Sequence, residues 1–194
     1  MSRSAPVHDA PRRTLSDRQA RTVQRLTDAA TKELRTAGYD GLTVRSVARR
    51  AGVAAATAYT YFASKELLVC EAFWRRLRAM PGPGNGRRRS IAARVEDALA
   101  DYAALAVDEP ELMAACTIAM VADDPDVKRI RDRVGADIHL RLTAALGEDA
   151  DPDVLIALDL AMTGAMIRAG TGHMDYAEIP QRIGDVAKLL TEGR

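Results

Sequence analysis

The stretch LTVRSVARRAGVAAATAYTYFASKELL, residues 42–68, constrains the fold more than any other part of the chain. Thr43 carries the hydroxyl of a helix N-cap, and apolar residues then recur at helical spacing as far as Ala51. Gly52 can adopt the left-handed backbone of a sharp turn, and a second short helix is predicted from about Ala54 to Thr60. Helix, glycine-containing turn and helix together predict a helix-turn-helix, whose second helix enters the major groove of DNA.

The same stretch resembles the N-terminal domain of the TetR family of bacterial transcriptional regulators. The family pattern is matched without a gap, and its most specific part is the tail YxYFxSKExL. The residues that carry the resemblance are Leu42, Thr43, Ala51, Gly52, Val53, Thr57, Tyr59, Tyr61, Phe62, Ser64, Lys65, Glu66 and Leu68. The resemblance implies an all-α fold, in which a three-helix helix-turn-helix domain precedes a C-terminal helical domain for ligand binding and dimerisation.

Charge is distributed unevenly along the chain. Residues 1–80 contain 15 Lys and Arg against 7 Asp and Glu, a net charge of +8, whereas residues 81–194 contain 13 against 20, a net charge of −7. A basic first part fits a domain that meets a polyphosphate, and an acidic remainder fits one that does not. Surface solubility alone explains such a split equally well, and only the motif favours the DNA-binding interpretation.

Composition changes divide the chain into five predicted segments. Residues 1–15 are expected to form a disordered basic arm, which either reaches DNA or is a featureless tail. Residues 16–63 form the helix-turn-helix domain, residues 64–80 a connecting helix, and residues 81–89 a Gly- and Pro-rich linker loop. Residues 90–194 form the C-terminal domain. Apolar periodicity and cap residues predict about nine helices in total, with no strand alternation.

Contacts with DNA are assigned by the resemblance, position by position. It places Ala54, Ala55, Ala56, Thr57 and Thr60 near base edges, and Thr43, Tyr59, Tyr61 and Lys65 at phosphates, with Arg45 at the groove or the backbone. Alanine can contact a thymine methyl but cannot make the paired hydrogen bonds that read guanine or adenine. We therefore expect thin direct readout and a contribution from DNA shape. For Phe62, packing in the three-helix core is the expected role.

The middle helices resemble the effector-binding part of the family. An apolar pocket is predicted, with the wall residues Leu99, Tyr102, Met113, Cys116, Met120, Ile138, Met162 and Met166. Methionine suits an adaptable wall, although a methionine stripe at helical spacing is also typical of plain core. The few polar residues on these faces favour a small, largely apolar ligand, with Thr117, His139 and Arg141 as polar candidates.

The last two helices are the expected homodimer surface by the same resemblance. Small residues on the eighth helix permit close approach of a partner helix, and an apolar stripe on the ninth is predicted to form a seam. The residues are Ala157, Ala161, Gly164 and Ala165, followed by Ile179, Ile183, Val186 and Leu190. A two-fold dimer would place two helix-turn-helix units about 34 Å apart, for successive major grooves.

Several function classes find no support in the sequence. The three histidines are scattered, and no catalytic motif, metal-ligand spacing or cofactor-binding loop occurs. Cys70 and Cys116 are expected to be reduced thiols, and neither a secretory signal nor a membrane-spanning run is present. We therefore expect a cytoplasmic, non-enzymatic DNA-binding repressor that leaves its operator when a ligand binds. A helical DNA-binding or interaction protein without an effector is the alternative.

Overall fold

The computed structural model describes residues 16–82, 90–147 and 151–192. The predicted basic arm and residues 83–89 of the predicted linker lie outside these ranges. The described part contains nine α-helices, one 3-10 turn and no strand, which confirms the all-α prediction. The helices are α1 (Asp17–Gly41), α2 (Val44–Ala51), α3 (Ala55–Tyr61), α4 (Lys65–Ala79), α5 (Ile91–Asp108), α6 (Pro110–Ala119), α7 (Pro125–Leu146), α8 (Pro152–Gly170) and α9 (Ile179–Glu192), with the 3-10 turn at Tyr176–Glu178.

Side-chain caps define where most of these helices begin, because the first N–H groups of a helix have no partner within it. The Ser16 hydroxyl accepts from the Gln19 N–H at 3.4 Å, and the Thr43 hydroxyl accepts from the Ser46 N–H at 2.9 Å. At the start of α7, Asp124 accepts from the N–H of Asp126 at 2.7 Å. The cap predicted at Thr43 is therefore present, and Ser16 and Asp124 cap α1 and α7 in the same way.

Helices α1 to α3 enclose a small core. Leu26 and Leu34 of α1, Val47 of α2 and Ala58 of α3 are all buried, and Phe62 closes the core directly after α3. Phe62 is 3% exposed, which confirms that it packs inside. Near the end of α1, Gly38 has φ 65° and ψ −178°, a left-handed conformation that glycine adopts readily, so the helix is interrupted there.

Helix α4 belongs to both halves of the chain. It packs against α1, and it also packs against α6 and α7. Leu68 and Val69 are buried near its start, and Phe73 and Leu77 are buried further along. The Phe73 ring lies 6.5 Å from the ring of Tyr102 on α5. A displacement of α4 therefore changes contacts in both parts of the molecule.

Two polar contacts join the halves in addition to this packing. The Ser64 hydroxyl donates to Asp124 at 3.1 Å, which links the cap of α4 to the cap of α7. The buried Glu109 carboxylate lies 2.6 Å from the Arg35 guanidinium of α1 and 3.7 Å from that of Arg76 on α4. Both contacts cross from the N-terminal helices to the C-terminal ones.

Helix α9 lies closely on α5, the most extensive helix pair in the described structure. Gly184 permits this approach, because a Cβ at that position would lie 3.0 Å from the carbonyl oxygen of Ala92. In a second close contact, a Cβ on Gly170 of α8 would lie 2.4 Å from the Cγ2 of Thr117 on α6. Among the described helices, none combines the length and apolar character that crossing a membrane requires.

Candidate nucleic-acid interface and ligand cavity

The turn between α2 and α3 has a single defined geometry. Gly52 is left-handed, with φ 61° and ψ 38°, and the N–H of Val53 donates to the Ala48 carbonyl at 2.9 Å. From α1, the Arg25 guanidinium donates to the carbonyls of Ala51 and Gly52. These bonds satisfy the free carbonyls at the end of α2 and hold α3 at a fixed angle to it.

Most of the predicted DNA contacts lie on one exposed surface, which we call the reading surface. Thr43, Arg45, Ala54, Ala56, Thr57, Tyr59 and Thr60 are exposed, whereas Ala55, Tyr61 and Lys65 are half-buried. Arg49, which lies one turn after Arg45 on α2, is also exposed, although it was not among the predicted DNA contacts. Neither Arg45 nor Arg49 forms an ion pair with any described carboxylate. Both guanidinium groups are thus available to an anionic partner.

The polar groups of α3 are few. Ala54 stands at the N-cap position and provides no side-chain hydrogen bond, and the Thr60 hydroxyl donates back to the Ala56 carbonyl at 3.0 Å. The hydroxyls of Thr57 and Tyr59 make no hydrogen bond with any residue that the structure describes, and Tyr59 is 50% exposed. The free hydrogen-bonding capacity of α3 therefore rests mainly on Thr57 and Tyr59.

Lys65 has an internal contact that its predicted phosphate role did not include. Its ammonium group donates to the Tyr39 carbonyl at 3.0 Å and lies 4.1 Å from the centroid of the Tyr39 ring. The Tyr39 hydroxyl in turn donates to Glu66 at 3.0 Å. Burial, together with this bond to Glu66, raises the pKa of Tyr39 well above its usual value. Lys65 fastens α4 to the end of α1, so its substitution would test more than contact with DNA.

Arg50 is the α2 arginine that pairs with a carboxylate. It hydrogen-bonds to Glu33 of α1 and donates to the Thr36 hydroxyl at 3.0 Å. The hydrogen bond from Arg50 lowers the pKa of Glu33, although burial of the carboxyl opposes the shift. This pair connects α1 to α2 and keeps Arg50 apart from the reading surface.

A cavity of about 820 Å³ lies among α4, α5, α6, α7 and α8. Six of the eight predicted wall residues line it: Tyr102, Cys116, Met120, Ile138, Met162 and Met166. Leu99 and Met113 do not line it; both are buried in the core, 0% and 1% exposed. Helical spacing correctly predicted that both residues face the interior, but only some of the interior-facing residues of these helices line the cavity. Lining residues that the sequence analysis did not assign include Phe73, Arg131, Val134, Gly135 and Asp159.

The polar groups around the cavity are mostly paired. The Thr117 hydroxyl lies 2.8 Å from the Tyr176 hydroxyl, and the Nδ1 of His139 lies 2.8 Å from the Asp159 carboxylate. The Tyr102 hydroxyl donates to Asp137 at 3.2 Å. Burial, and next the negative charge of Asp137, raise the pKa of Tyr102, so its hydroxyl stays protonated. The wall is therefore mainly apolar with a few fixed polar points, as is typical of small-molecule sites.

A cluster of charged side chains supports the wall from behind. Arg141 lies 2.8 Å from Asp101 and 2.6 Å from Asp137, and each of these side chains is mostly buried. Burial alone would lower the pKa of Arg141, but the hydrogen bonds to the two carboxylates raise it. The cluster joins α5 to α7. Arg141 was predicted as a polar group of the pocket, but its guanidinium instead pairs with Asp101 and Asp137.

Both cysteines are free and buried, in agreement with the expected reduced thiols. Cys116 lines the cavity and lies beside Cys70 of α4, and burial raises the pKa of its thiol. The resulting low thiolate content makes it a weak nucleophile.

The predicted dimer residues separate into two groups. Ile179, Ile183 and Ala165 are buried within the single chain, at 1%, 2% and 6% exposure, so they offer almost no surface to a partner. The α9 stripe was predicted as a seam because it is apolar, but its first half covers α5 of the same chain. Gly164 is exposed, and the half-buried members are Ala157, Ala161, Val186 and Leu190.

The sequence analysis missed the largest exposed apolar side chains of this region. They are Ile156, Leu160 and Ile167 on α8 and Leu189 on α9, from 45% to 77% exposed. The α8 residues recur at intervals of four and seven, so they lie along one face of the helix. Together with Gly164 they form what we call the α8 face, an apolar surface that no described residue of the chain covers.

Known proteins with similar sequences are bacterial transcriptional regulators. Residues 26–72 match the family described as bacterial regulatory proteins, tetR family. Over 178 residues the chain is 43% identical to an uncharacterized HTH-type transcriptional regulator of Mycobacterium tuberculosis and to one of Mycobacterium bovis. Each alignment covers 91% of this chain and 83% of the relative.

Solved structures of low sequence identity share the fold. A TetR transcriptional regulator from Rhodococcus sp. RHA1 superposes with a TM-score of 0.69 at 20% identity, over 92% of this chain and 99% of that chain. A tetR regulator from Streptomyces fradiae gives a TM-score of 0.58 at 24% identity, over 88% and 87%. The arrangement of α1 to α9 is thus one that solved regulator structures contain.

Proposed function

The chain belongs to the TetR family of bacterial transcriptional regulators, and from this we propose that it is a ligand-responsive repressor. In this proposal a homodimer binds a two-fold operator in the bacterial cytoplasm and leaves it when a small, largely apolar molecule enters the cavity. The observation that carries the proposal is that α4 packs against α1, which supports the helix-turn-helix, and also contributes Phe73 to the cavity wall. Helix α4 therefore contacts α1, on which the reading surface is built, and would also contact a ligand in the cavity.

In the proposed complex, α3 lies in the major groove. The Thr57 and Tyr59 hydroxyls are its free hydrogen-bonding groups, and the alanines at 54–56 permit close approach of the backbone. Arg45 and Arg49 reach phosphates or the groove edge from α2, since neither is engaged by a described carboxylate. Few base contacts then leave DNA shape and half-site spacing to supply much of the selectivity.

The α8 face supports the dimeric state in this proposal. Exposed apolar patches of this kind mark protein contacts more often than free surface. Gly164 lies within this face, where an added Cβ would meet no described atom within 4 Å, so no close contact among the described residues requires its small size. A partner α8 that packs at this point supplies the missing reason for a glycine there.

Release by a ligand follows from the shared helix. A molecule that fills the cavity contacts Phe73 directly, and α7, which also lines the cavity, begins at the Asp124 cap that accepts from Ser64. Both routes lead to α4, the helix that directly follows α3. The ligand drives release only to the extent that it binds the displaced arrangement of α4 more tightly than the DNA-bound one.

Binding to the DNA directly upstream of the protein's own gene tests the proposal. We expect selective binding that weakens as salt rises, and a smaller salt dependence for Arg45→Ala because one phosphate contact is lost. Arg129→Ala is the matched control, because Arg129 is an exposed arginine on α7 that belongs to neither the reading surface, the cavity wall nor the α8 face. Weak binding that ignores sequence, at this and other intergenic DNA, would contradict the proposal.

The effector half of the proposal needs a separate measurement. Apolar compounds are screened for a rise in melting temperature, and those that bind are added to the protein–operator complex. Compounds that stabilise the protein should release the DNA, and Phe73→Ala should weaken that coupling. Selective DNA binding with no stabilising compound would favour the alternative, a DNA-binding protein without an effector.

A further inference from the structure

The register of α7 against α8 defines the two ends of the cavity. The His139–Asp159 contact at 2.8 Å places one end. Arg131 lies eight residues before His139 on α7, about 12 Å along the helix at 1.5 Å per residue. Its guanidinium donates to the Met120 carbonyl at the end of α6, which places it at the opposite end.

The charges at these two ends differ in how they are compensated. Asp159 is hydrogen-bonded by His139, whereas Arg131 forms no ion pair with any carboxylate in the described part of the chain. Arg129 and Arg141 of α7 do have carboxylate partners, Asp126 and Asp101. Arg133 also forms no ion pair with a described carboxylate, but it does not line the cavity. The Met120 carbonyl occupies one guanidinium nitrogen, and the other N–H groups remain available.

Between the two ends the wall is apolar. Val134, Ile138, Met162 and Met166 line this part, with Phe73 deeper inside. Gly135 stands on the cavity side of α7, and a Cβ there would meet nothing within 4 Å. A mid-helix glycine costs stability relative to alanine, and no contact within the chain requires this one. The space beside Gly135 is therefore open to a bound molecule.

We propose that the cavity binds an amphipathic molecule whose apolar body lies between α7 and α8 and whose anionic head, a carboxylate or a sulfonate, pairs with Arg131. A guanidinium binds such oxyanions through paired, charge-assisted hydrogen bonds. This inference rests on the proposed function, because it names the ligand class of the same cavity. It adds that the ligand carries a negative charge at one end and that Arg131 selects for it.

Two fluorescent probes that share one apolar body provide the test. The probes are 1-anilinonaphthalene-8-sulfonate and its uncharged counterpart N-phenyl-1-naphthylamine, which lacks the sulfonate. In the full-length protein we expect the sulfonate to bind more tightly. Arg131→Gln should weaken the sulfonate about tenfold, the size expected for one charge-assisted contact, and leave the neutral probe unchanged. Arg131→Lys should restore part of the loss.

Two controls locate the effect. Arg129→Gln changes an arginine of the same helix that does not line the cavity and should bind both probes as the wild type does. Gly135→Leu places a side chain in the cavity and should weaken both probes. Equal sulfonate affinity in the wild type and Arg131→Gln, with Gly135→Leu still blocking both, would overturn the inference and leave the cavity as an apolar ligand site. If neither probe binds, or if both bind equally well to the wild type and to Gly135→Leu, the cavity is not the binding site and the inference is overturned.

Discussion

Four glycines lie in helices of the C-terminal half, and their surroundings predict opposite outcomes for the same substitution. Gly135 of α7 has open space where a Cβ would stand, whereas Gly184 of α9 has the Ala92 carbonyl at 3.0 Å and Glu96 at 2.9 Å. None of these helical glycines has a positive φ. Replacement by alanine therefore tests packing without introducing backbone strain.

The expected magnitudes follow from helix propensity and crowding. Alanine is favoured over glycine within a helix by about 0.5–1 kcal/mol, so Gly135→Ala should raise the free energy of unfolding by that amount. In a chain of this size the melting temperature should rise by about 1–4 °C. Gly184→Ala gains the same propensity but must push α9 away from α5, at a cost of about 1–3 kcal/mol, so its net effect is a loss.

Gly170→Ala should be the most damaging of the series. Its Cβ would lie 2.4 Å from the Cγ2 of Thr117, a β-branched side chain with little freedom to turn away. The same movement would disturb the 2.8 Å contact between the Thr117 and Tyr176 hydroxyls.

Thermal and urea unfolding at one protein concentration, followed by circular dichroism, measure all three variants. A rise in stability for Gly184→Ala equal to that for Gly135→Ala would refute the close approach of α9 to α5. A loss for Gly135→Ala would refute the open space beside α7.

Three further predictions concern other parts of the chain. The folded-state pKa of Glu33 lies below its usual 4.5, so its ion pair with Arg50 stabilises the folded protein fully above pH 4.5 and progressively less as the pH falls. In urea unfolding, the difference in the free energy of unfolding between wild type and Arg50→Gln should therefore be smaller at pH 3 than at pH 7. Ala54→Ser supplies the missing cap of α3 and should add about 1 kcal/mol in the same assay at pH 7. Leu160→Glu, on the α8 face, should shift the protein from dimer to monomer in sedimentation; an unchanged mass would contradict the proposed interface.

Sequence reasoning predicted the helix-turn-helix well because its determinants are local. Thr43 caps α2 and Gly52 makes the turn, and each of these functions depends on residues within a few positions along the chain. Phe62 packs on distant residues of α1, but its place directly after α3 in the motif was enough to predict its burial. Lys65 shows the limit of that reasoning. Its contact with Tyr39 joins residues 26 positions apart, and no spacing rule predicts which carbonyl an ammonium group will meet.

The cavity and the α8 face show the same limit more strongly. Periodicity identified the inward faces, but Leu99 and Met113 point into the core and Arg131 was not recognised as a lining residue. The apolar stripe on α9 correctly predicted that these residues are buried, but not which helix buries them. Ile179 and Ile183 are buried within their own chain and not against a partner. Which helix covers a given apolar face depends on tertiary packing, which a single periodic pattern does not contain.

The position of α4 in the middle of one continuous hydrophobic core has a consequence for how the chain unfolds. Domains joined only by a linker can unfold one after the other, whereas removing α4 would expose buried apolar residues in both halves of this core. Amide hydrogens near Leu68 and Phe73 should accordingly exchange at one common, slow rate, through opening of the whole molecule. The helix that would transmit ligand binding to the reading surface therefore also makes the two halves unfold as one cooperative unit.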